Sequence, residues 1–115
     1  MGREEQAGAL SRSLIDQLGP DAPEQLALAQ LRLAWQETVH EAGLERGGLS
    51  SRVVSATSGT ARIEASEPIL AQEIGLRSDA LVWAVNQRMR GRPGATIVLH
   101  RLAVSVGRPG RARDL

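Results

Sequence analysis

The chain contains no lysine, cysteine, phenylalanine or tyrosine among its 115 residues. The lack of cysteine excludes disulfides, thiolate metal sites and cysteine nucleophiles, and it fits a reducing compartment such as the cytosol. Trp35 and Trp83 are the only large aromatic residues. The core must therefore consist of Leu, Val, Ile and Ala around tryptophan, and a surface that stacks bases on Tyr or Phe is excluded.

Long apolar runs are also missing. No segment approaches the roughly 20 apolar residues of a membrane span, and the charged start of the chain has no apolar stretch typical of a signal peptide. The length fits one domain that can fold without disulfides or metals. We expect this domain at residues 23–107, a helical extension and linker at residues 1–22, and a flexible arginine- and glycine-rich tail at residues 108–115.

All fourteen basic residues are arginine, and they are unevenly distributed. Residues 77–115 hold eight arginines and two acids, a net charge of +6, whereas residues 1–76 hold six arginines and eleven acids, a net charge of −5. Guanidinium is planar, permanently charged and suited to bidentate contact with phosphate. The cationic end predicts a polyanion partner, although a GC-rich genome would also favour arginine over lysine.

Apolar spacing and turn residues predict the order α-α-β-β-α-β. Asp21 and Pro23 are suited to begin the second helix, Gly43 to end it, and Ser58-Gly59 to form a hairpin turn. The expected elements are a helix at 3–18, a helix at 21–42, strands at 52–57 and 60–66, a helix at 68–90 and a strand at 95–106. This pattern favours an α+β fold, with a small three-stranded sheet and helices packed on one face.

The helix at 68–90 carries two apolar stripes. Leu70, Ile74, Leu81, Val85 and Met89 form one stripe, and Ile69, Leu76 and Trp83 form a second on nearly the opposite side. Either the helix lies between the sheet and the Trp35 helix, which would bury both stripes, or the second stripe binds a partner protein. Full burial of Trp83 would exclude partner binding.

The sequence shows no set of residues suited to catalysis. It has neither a Gly-x-x-x-x-Gly-Lys phosphate loop nor a Gly-x-Ser-x-Gly nucleophile turn. His40 and His100 lie on different elements without an acidic cluster of ligand spacing, so we expect no metal site. We therefore expect a protein that is not an enzyme and needs no cofactor.

The arginines predict contact with nucleic acid. The expected DNA-binding residues are Arg88, Arg90, Arg92, Arg101, Arg108, Arg111 and Arg113. At the end of a helix, the first three also complement the helix dipole. Residues 90–93 spell the Arg-Gly-Arg-Pro core of an AT-hook, which enters the minor groove in an extended conformation.

Several motifs in this order resemble DciA, a family of bacterial replicative-helicase loaders. The helix at 21–42 carries Leu-Arg-Leu-Ala-Trp-Gln-Glu-Thr-Val at residues 31–39, and a strand with the pattern Gly-x-Ala-x-Ile follows at residues 59–66. The next helix carries Ala-x-Glu-Ile at residues 71–74 and Leu-x-x-x-Val-Asn at residues 81–86, and the last strand ends in Val-Ser-Val-Gly at residues 104–107. His40 stands where the family usually has glycine.

The resemblance implies a KH-like domain that binds the replicative DnaB-type helicase and DNA, and that assists helicase loading without hydrolysing ATP. It implies a cytoplasmic, nucleoid-associated protein and leaves open whether the DNA is single-stranded. The alternative is a nucleoid-type or general DNA-binding protein that uses the basic C-terminal third and has no helicase partner. The Gly-x-x-Gly stretch at residues 91–94 joins a helix to a strand, whereas the phosphate-binding loop of KH domains joins two helices.

Overall fold

A computed structural model describes residues 22–107 of the chain. It confirms an α+β fold with a three-stranded sheet. The elements in order are α1 (Ala22–Glu41), β1 (Ser51–Thr57), β2 (Thr60–Ala65), α2 (Pro68–Leu76), α3 (Ser78–Met89) and β3 (Arg101–Val106). The helix predicted at residues 3–18 and the tail predicted at residues 108–115 lie outside the described residues.

Helix α1 ends as its sequence predicts. Gly43 adopts a left-handed conformation with φ +71°, which costs glycine little because it has no Cβ. Its N–H donates to the carbonyl of His40 at 3.1 Å, and the N–H of Leu44 donates to the carbonyl of Val39 at 3.0 Å. These two bonds define a Schellman motif. The motif turns the chain back and places Leu44 in the core beside the helix that it follows.

The sheet is mixed, with strand order β1-β2-β3. Strands β1 and β2 pair antiparallel through a turn in which Ser58 and Gly59 both have positive φ, as a type I′ hairpin requires. Strand β3 pairs with β2 in parallel. On the free edge of β1, Arg32 donates to the carbonyls of Val53 and Val54, and Gln36 donates to that of Ser51. Helix α1 thus satisfies carbonyls that another strand could otherwise pair with.

The prediction of a single helix at residues 68–90 is wrong in one respect, because the structure divides this segment at Arg77 into α2 and α3. Arg77 has φ −103° and ψ 14° and serves as the cap of both helices. The division gives the helices different neighbours, since α2 packs on β2 and β3 whereas α3 packs on α1 and β3. The described order is therefore α-β-β-α-α-β, with two consecutive helices.

The last strand is shorter than predicted, because residues 95–100 do not pair with the sheet. The side chain of Asn86 holds this segment instead. Its Nδ2 donates to the carbonyl of Leu99 at 2.9 Å, and its Oδ1 accepts the N–H of Leu99 at 2.8 Å. Since the polar backbone groups of Leu99 already have partners on α3, this residue has no need of a neighbouring strand.

The core lies between the helices and one face of the sheet. Trp35 is fully buried at its centre, packed with residues such as Leu31, Ile63 and Ile74. The indole Nε1 of Trp35 donates to the Oγ of Ser51 at 2.9 Å, so its one polar group is satisfied despite burial. The helices cover this face alone, and the other face of the sheet carries the polar side chains of the strands.

Candidate nucleic-acid and partner surfaces

Two of the arginines predicted to bind DNA form ion pairs with α1. Arg88 pairs with Glu41 and, at 3.7 Å, with Glu37, and Arg92 also pairs with Glu37. The side chains of Arg88 and Arg92 are each only 24% exposed. Two arginines and two glutamates leave this cluster without net charge. The cluster holds the end of α3 against α1, and phosphate would have to compete with carboxylates for both guanidinium groups.

Arg90 lies on the turn that follows α3 and is exposed. The turn is not extended, because Gly91 has φ +78° and the N–H of Arg92 donates to the carbonyl of Met89 at 3.2 Å. Gln30 of α1 also donates to the carbonyl of Pro93 at 3.1 Å. Residues 90–93 therefore lack the extended conformation that an AT-hook needs for the minor groove.

Arg101, the fourth predicted arginine, lies at the start of β3. Its Nε donates to the Oγ1 of Thr60 on the adjacent strand at 2.9 Å, and the residue is exposed. Arg101 is the register partner of Thr60 on β2. Both side chains therefore lie on the same face of the sheet, which is the face that points away from the helices. Arg108, Arg111 and Arg113 lie outside the described residues, so their contribution to DNA binding stays a prediction.

The face of the sheet opposite the helices, here called the strand face, is cationic. The registers place nine residues on it, and none of the nine is buried. They form three rows across the strands: Thr57, Thr60 and Arg101; Ser55, Arg62 and Ala103; Arg52, Glu64 and Ser105. Three arginines and one glutamate give the strand face a net charge of +2.

The residues that the sequence predicts for DNA binding do not include Arg52 and Arg62, which the structure places on the strand face with Arg101. The alternation of β2 puts Arg62 on the polar side of a strand, which was the only local signal. Its importance depends on the neighbours that the sheet supplies, because β1 brings Arg52 and β3 brings Arg101 to the same face. Parallel pairing of β3 with β2 cannot be read from either strand alone.

Three large apolar side chains lie on the outer side of the helices, and we call them the apolar group. Ile69 is 65% exposed, Leu76 is 74% exposed and Trp83 is 66% exposed. Ile69 and Leu76 belong to α2 and Trp83 to α3. On each helix these residues lie opposite the buried ones, which are Leu70 and Ile74 on α2 and Leu81, Val85 and Met89 on α3. The second stripe is thus exposed, and burial does not exclude partner binding by Trp83.

Within residues 22–107, no group of three or more His, Cys, Asp or Glu side chains is placed to hold a metal ion. His40 is exposed near the end of α1, and His100 is exposed beside Gly59. A cleft of about 720 Å³ lies between the start of α1, the β1–β2 turn and residues 96–97. Among the described residues that line it, Glu24 is the only ionisable one.

The junction between α2 and α3 is where a KH domain would carry its phosphate-binding loop. It reads Gly75-Leu76-Arg77-Ser78 and has one glycine instead of a Gly-x-x-Gly pair. The Gly-x-x-Gly stretch at residues 91–94 follows α3 and leads towards β3. The loop by which KH domains hold a nucleic-acid backbone is therefore not present at this junction.

Comparisons with known proteins do not extend this picture. No protein-family model matches the chain, and searches of the curated proteins and of the solved structures found no match. The resemblance to the DciA family therefore depends on the motifs quoted above. No helix within residues 22–107 is both long enough and apolar enough to cross a membrane.

Proposed function

We propose that this protein is a DNA-replication factor that binds the replicative DnaB-type helicase and DNA and assists helicase loading, without hydrolysing ATP. The observation that carries the proposal is the exposure of Trp83, at 66%, on the outer side of α3. Burying the exposed part of an aromatic side chain would contribute roughly 3 kcal/mol to an interface. Tryptophan is also enriched among the residues that dominate binding energy between proteins.

The motifs shared with the DciA family support the proposal because they coincide with residues that hold this fold together. Trp35 fills the core and bonds to Ser51. Gly59 closes the hairpin with φ +80°, and Asn86 holds Leu99 through two hydrogen bonds. A shared set of residues with these structural tasks is expected of proteins that share a fold, and function is then argued from the surfaces.

The two candidate surfaces lie on opposite sides of the domain. The apolar group is on the outer side of the helices, whereas the arginines of the strand face lie beyond the sheet. One copy could therefore hold a protein on its helices and DNA on its strands at the same time. Two separate surfaces suit a loader that brings a helicase to DNA.

The alternative, a general DNA-binding protein without a helicase partner, shares the DNA contact but not the protein contact. It would leave three large apolar side chains exposed without a task. Single exposed apolar residues are common on protein surfaces, so the exposure of Leu33 on α1 needs no explanation. Ile69, Leu76 and Trp83 have the highest exposed fractions of the large apolar side chains within residues 22–107, and this favours the hypothesis with a partner.

Direct binding to the replicative helicase of the same organism tests the proposal. The full chain, labelled with a fluorophore, would be titrated with purified helicase, and the anisotropy would report complex formation. We expect wild-type protein to bind and Trp83→Ala to bind at least about thirtyfold more weakly, because a central aromatic contact is worth roughly 2 kcal/mol or more. Leu33→Ala, which also truncates an exposed apolar residue on a helix, is the matched control and should bind as wild type does. No binding by the wild-type chain would refute the helicase part of the proposal.

A further inference from the structure

The three arginines of the strand face lie on a diagonal across the sheet. Arg52 is on β1 in the third row, Arg62 on β2 in the second row, and Arg101 on β3 in the first row. Strands are about 4.8 Å apart, and residues on the same face of a strand are about 6.7 Å apart. Neighbouring arginines on the diagonal are therefore separated by about 8 Å between Cα atoms. Such a line of cations suits a linear polyanion that crosses the strands obliquely.

We infer that the strand face binds the phosphate backbone of single-stranded DNA along this diagonal, with Arg62 at its centre. The inference rests on the DNA binding proposed above and names the surface that provides it. Arginine contacts phosphate in a bidentate manner, which fixes the position of the strand as well as its charge. The strand face thereby replaces the phosphate-binding loop that the α2–α3 junction lacks.

Arg62 is available for such a contact. It is exposed on the central strand, and its side chain makes no hydrogen bond or ion pair with any other residue within 22–107. Among the described residues, Arg101 makes one side-chain hydrogen bond, from its Nε to Thr60, so its two terminal nitrogens remain for a ligand. This contrasts with Arg88 and Arg92, whose guanidinium groups are paired with carboxylates.

Arg52 is the weaker end of the diagonal. Its Nη2 lies 3.0 Å from the Oε1 of Glu64, and its Nε donates to the same oxygen at 3.1 Å. A phosphate at this end would share Arg52 with Glu64. Arg52 is therefore kept unchanged in the test, because its removal would also take an ion-pair partner from Glu64.

The neighbours of Arg62 explain why the contact should be with backbone and not with bases. Its register partners are Ser55 and Ala103, which are too short to shield the guanidinium group from the side. None of the nine residues of the strand face is aromatic, so bases find no ring to stack on. Binding by charge and hydrogen bonds to phosphate is independent of sequence and sensitive to salt.

A single strand fits the strand face better than a duplex. The face spans three strands, about 10 Å between its edges, and it carries no helix or ribbon that projects into a groove, as duplex readers do. A flexible single strand can follow the twist of the sheet and bring successive phosphates to successive arginines. A rigid duplex can touch so narrow a face along a short part of one backbone only.

The test is the salt dependence of binding to a labelled oligothymidylate, measured by anisotropy with the full chain. The variant is Arg62→Gln/Arg101→Gln, and the control is Arg46→Gln/Arg77→Gln, which removes the same charge from exposed arginines outside the sheet. The control also removes the exposed ion pair of Arg77 with Glu73, and pairs of this kind contribute little to stability. We expect the variant to bind at least about tenfold more weakly near 0.1 M salt, with a slope of log K against log salt that is smaller by about 1.4. The control should keep most of the wild-type slope.

A second variant distinguishes a loss of DNA binding from a loss of folding. Arg62→Lys/Arg101→Lys keeps both charges and should keep the slope, and thermal unfolding should show that all variants melt as wild type does. The inference alone would be overturned if Arg62→Gln/Arg101→Gln bound oligothymidylate with the affinity and salt slope of the wild-type chain. It would also be overturned if this variant lost binding to duplex DNA only. A wild-type chain that binds no single-stranded DNA would overturn the inference together with the DNA part of the proposed function.

Discussion

Arg92 and Glu37 form an ion pair that joins the turn after α3 to α1, across 55 residues of sequence. Arg88 and Glu41 form a similar pair across 47 residues. The Nη1 of Arg92 is buried and has no hydrogen-bond partner among the described residues. These contacts direct two arginines of the cationic C-terminal third towards α1. The exposed positive charge of the domain therefore comes from other arginines.

The pairs change what is expected of the arginine cluster that the sequence identifies. Replacing Arg88, Arg90 and Arg92 together by Gln should weaken DNA binding and flatten its salt slope, but only by about 0.7, the contribution of one phosphate contact to a single strand. The reason is that, of the three arginines, only Arg90 makes no ion pair with a carboxylate among residues 22–107. The triple variant should also melt at a lower temperature, because Glu37 and Glu41 lose their partners.

Arg90→Gln is the control for this prediction, and its slope should equal that of the triple variant while its melting temperature stays that of wild type. The measurements are anisotropy over a range of salt and thermal unfolding by circular dichroism. A slope that falls by about 2 in the triple variant would mean that Arg88 and Arg92 leave their glutamates to bind phosphate. The cluster would then belong to the DNA surface as the sequence predicts.

The local parts of the fold could be predicted because their signals are local. The spacing of Leu31, Trp35 and Val39 and the position of Gly43 give α1 and its end. The alternation in β2 and the Ser58-Gly59 turn give the hairpin. These elements depend on residues within a few positions of one another, and their bounds agree with the structure to within one or two residues.

The sequence predictions that failed depend on contacts between residues that are far apart in the chain. Leu70, Ile74, Leu81, Val85 and Met89 fit one continuous helix, and no proline marks the division at Arg77. The shortened β3 depends on Asn86, which provides Leu99 with partners from another element. The state of each arginine likewise depends on which carboxylate the fold brings to it, and no local pattern specifies this.

Asn86 should prove important for stability. Asn86→Ala removes both partners of Leu99, whose backbone groups are shielded from water, and we expect the free energy of unfolding to fall by about 1–3 kcal/mol. Denaturant unfolding monitored by circular dichroism measures the change. Gln87→Ala, the next residue on α3, is the control and should change stability by less than about 0.5 kcal/mol. Equal effects of the two substitutions would contradict the role assigned to Asn86.

Gly59 should tolerate no side chain. A Cβ at this position would lie 2.3 Å from the Cδ2 of His100, and the residue has φ +80°. Gly59→Ala should therefore lower the free energy of unfolding by about 1–3 kcal/mol. Adding His100→Ala should recover part of the loss by removing the steric conflict, while the backbone strain remains.

Gly75 provides the matched control for Gly59. It lies in α2, and no atom lies within 4 Å of a Cβ built on it. Gly75→Ala should raise stability by about 0.5–1 kcal/mol, because alanine favours the helix. A loss of stability would show that the division of the helix at Arg77 depends on glycine beside it.

The two tryptophans should respond differently to a soluble quencher. Trp35 is fully buried and Trp83 is two-thirds exposed, so iodide should quench the emission of Trp83 and leave that of Trp35 nearly unchanged. Trp83→Phe isolates Trp35, and the remaining emission should be resistant to quenching. Strong quenching in Trp83→Phe would contradict the burial of Trp35 and the position of α1 on the sheet.

The task that we propose for this chain is to bring a replicative helicase to DNA. Its most direct test is the unwinding of a forked DNA by the helicase of the same organism in the presence of ATP, with and without the full chain, and with the chain alone as control. We expect the chain to stimulate unwinding, Trp83→Ala to stimulate less, and Leu33→Ala to stimulate as wild type does. Unwinding that is the same with and without the chain, while the chain still binds DNA, would contradict the claim and leave a DNA-binding protein with another task.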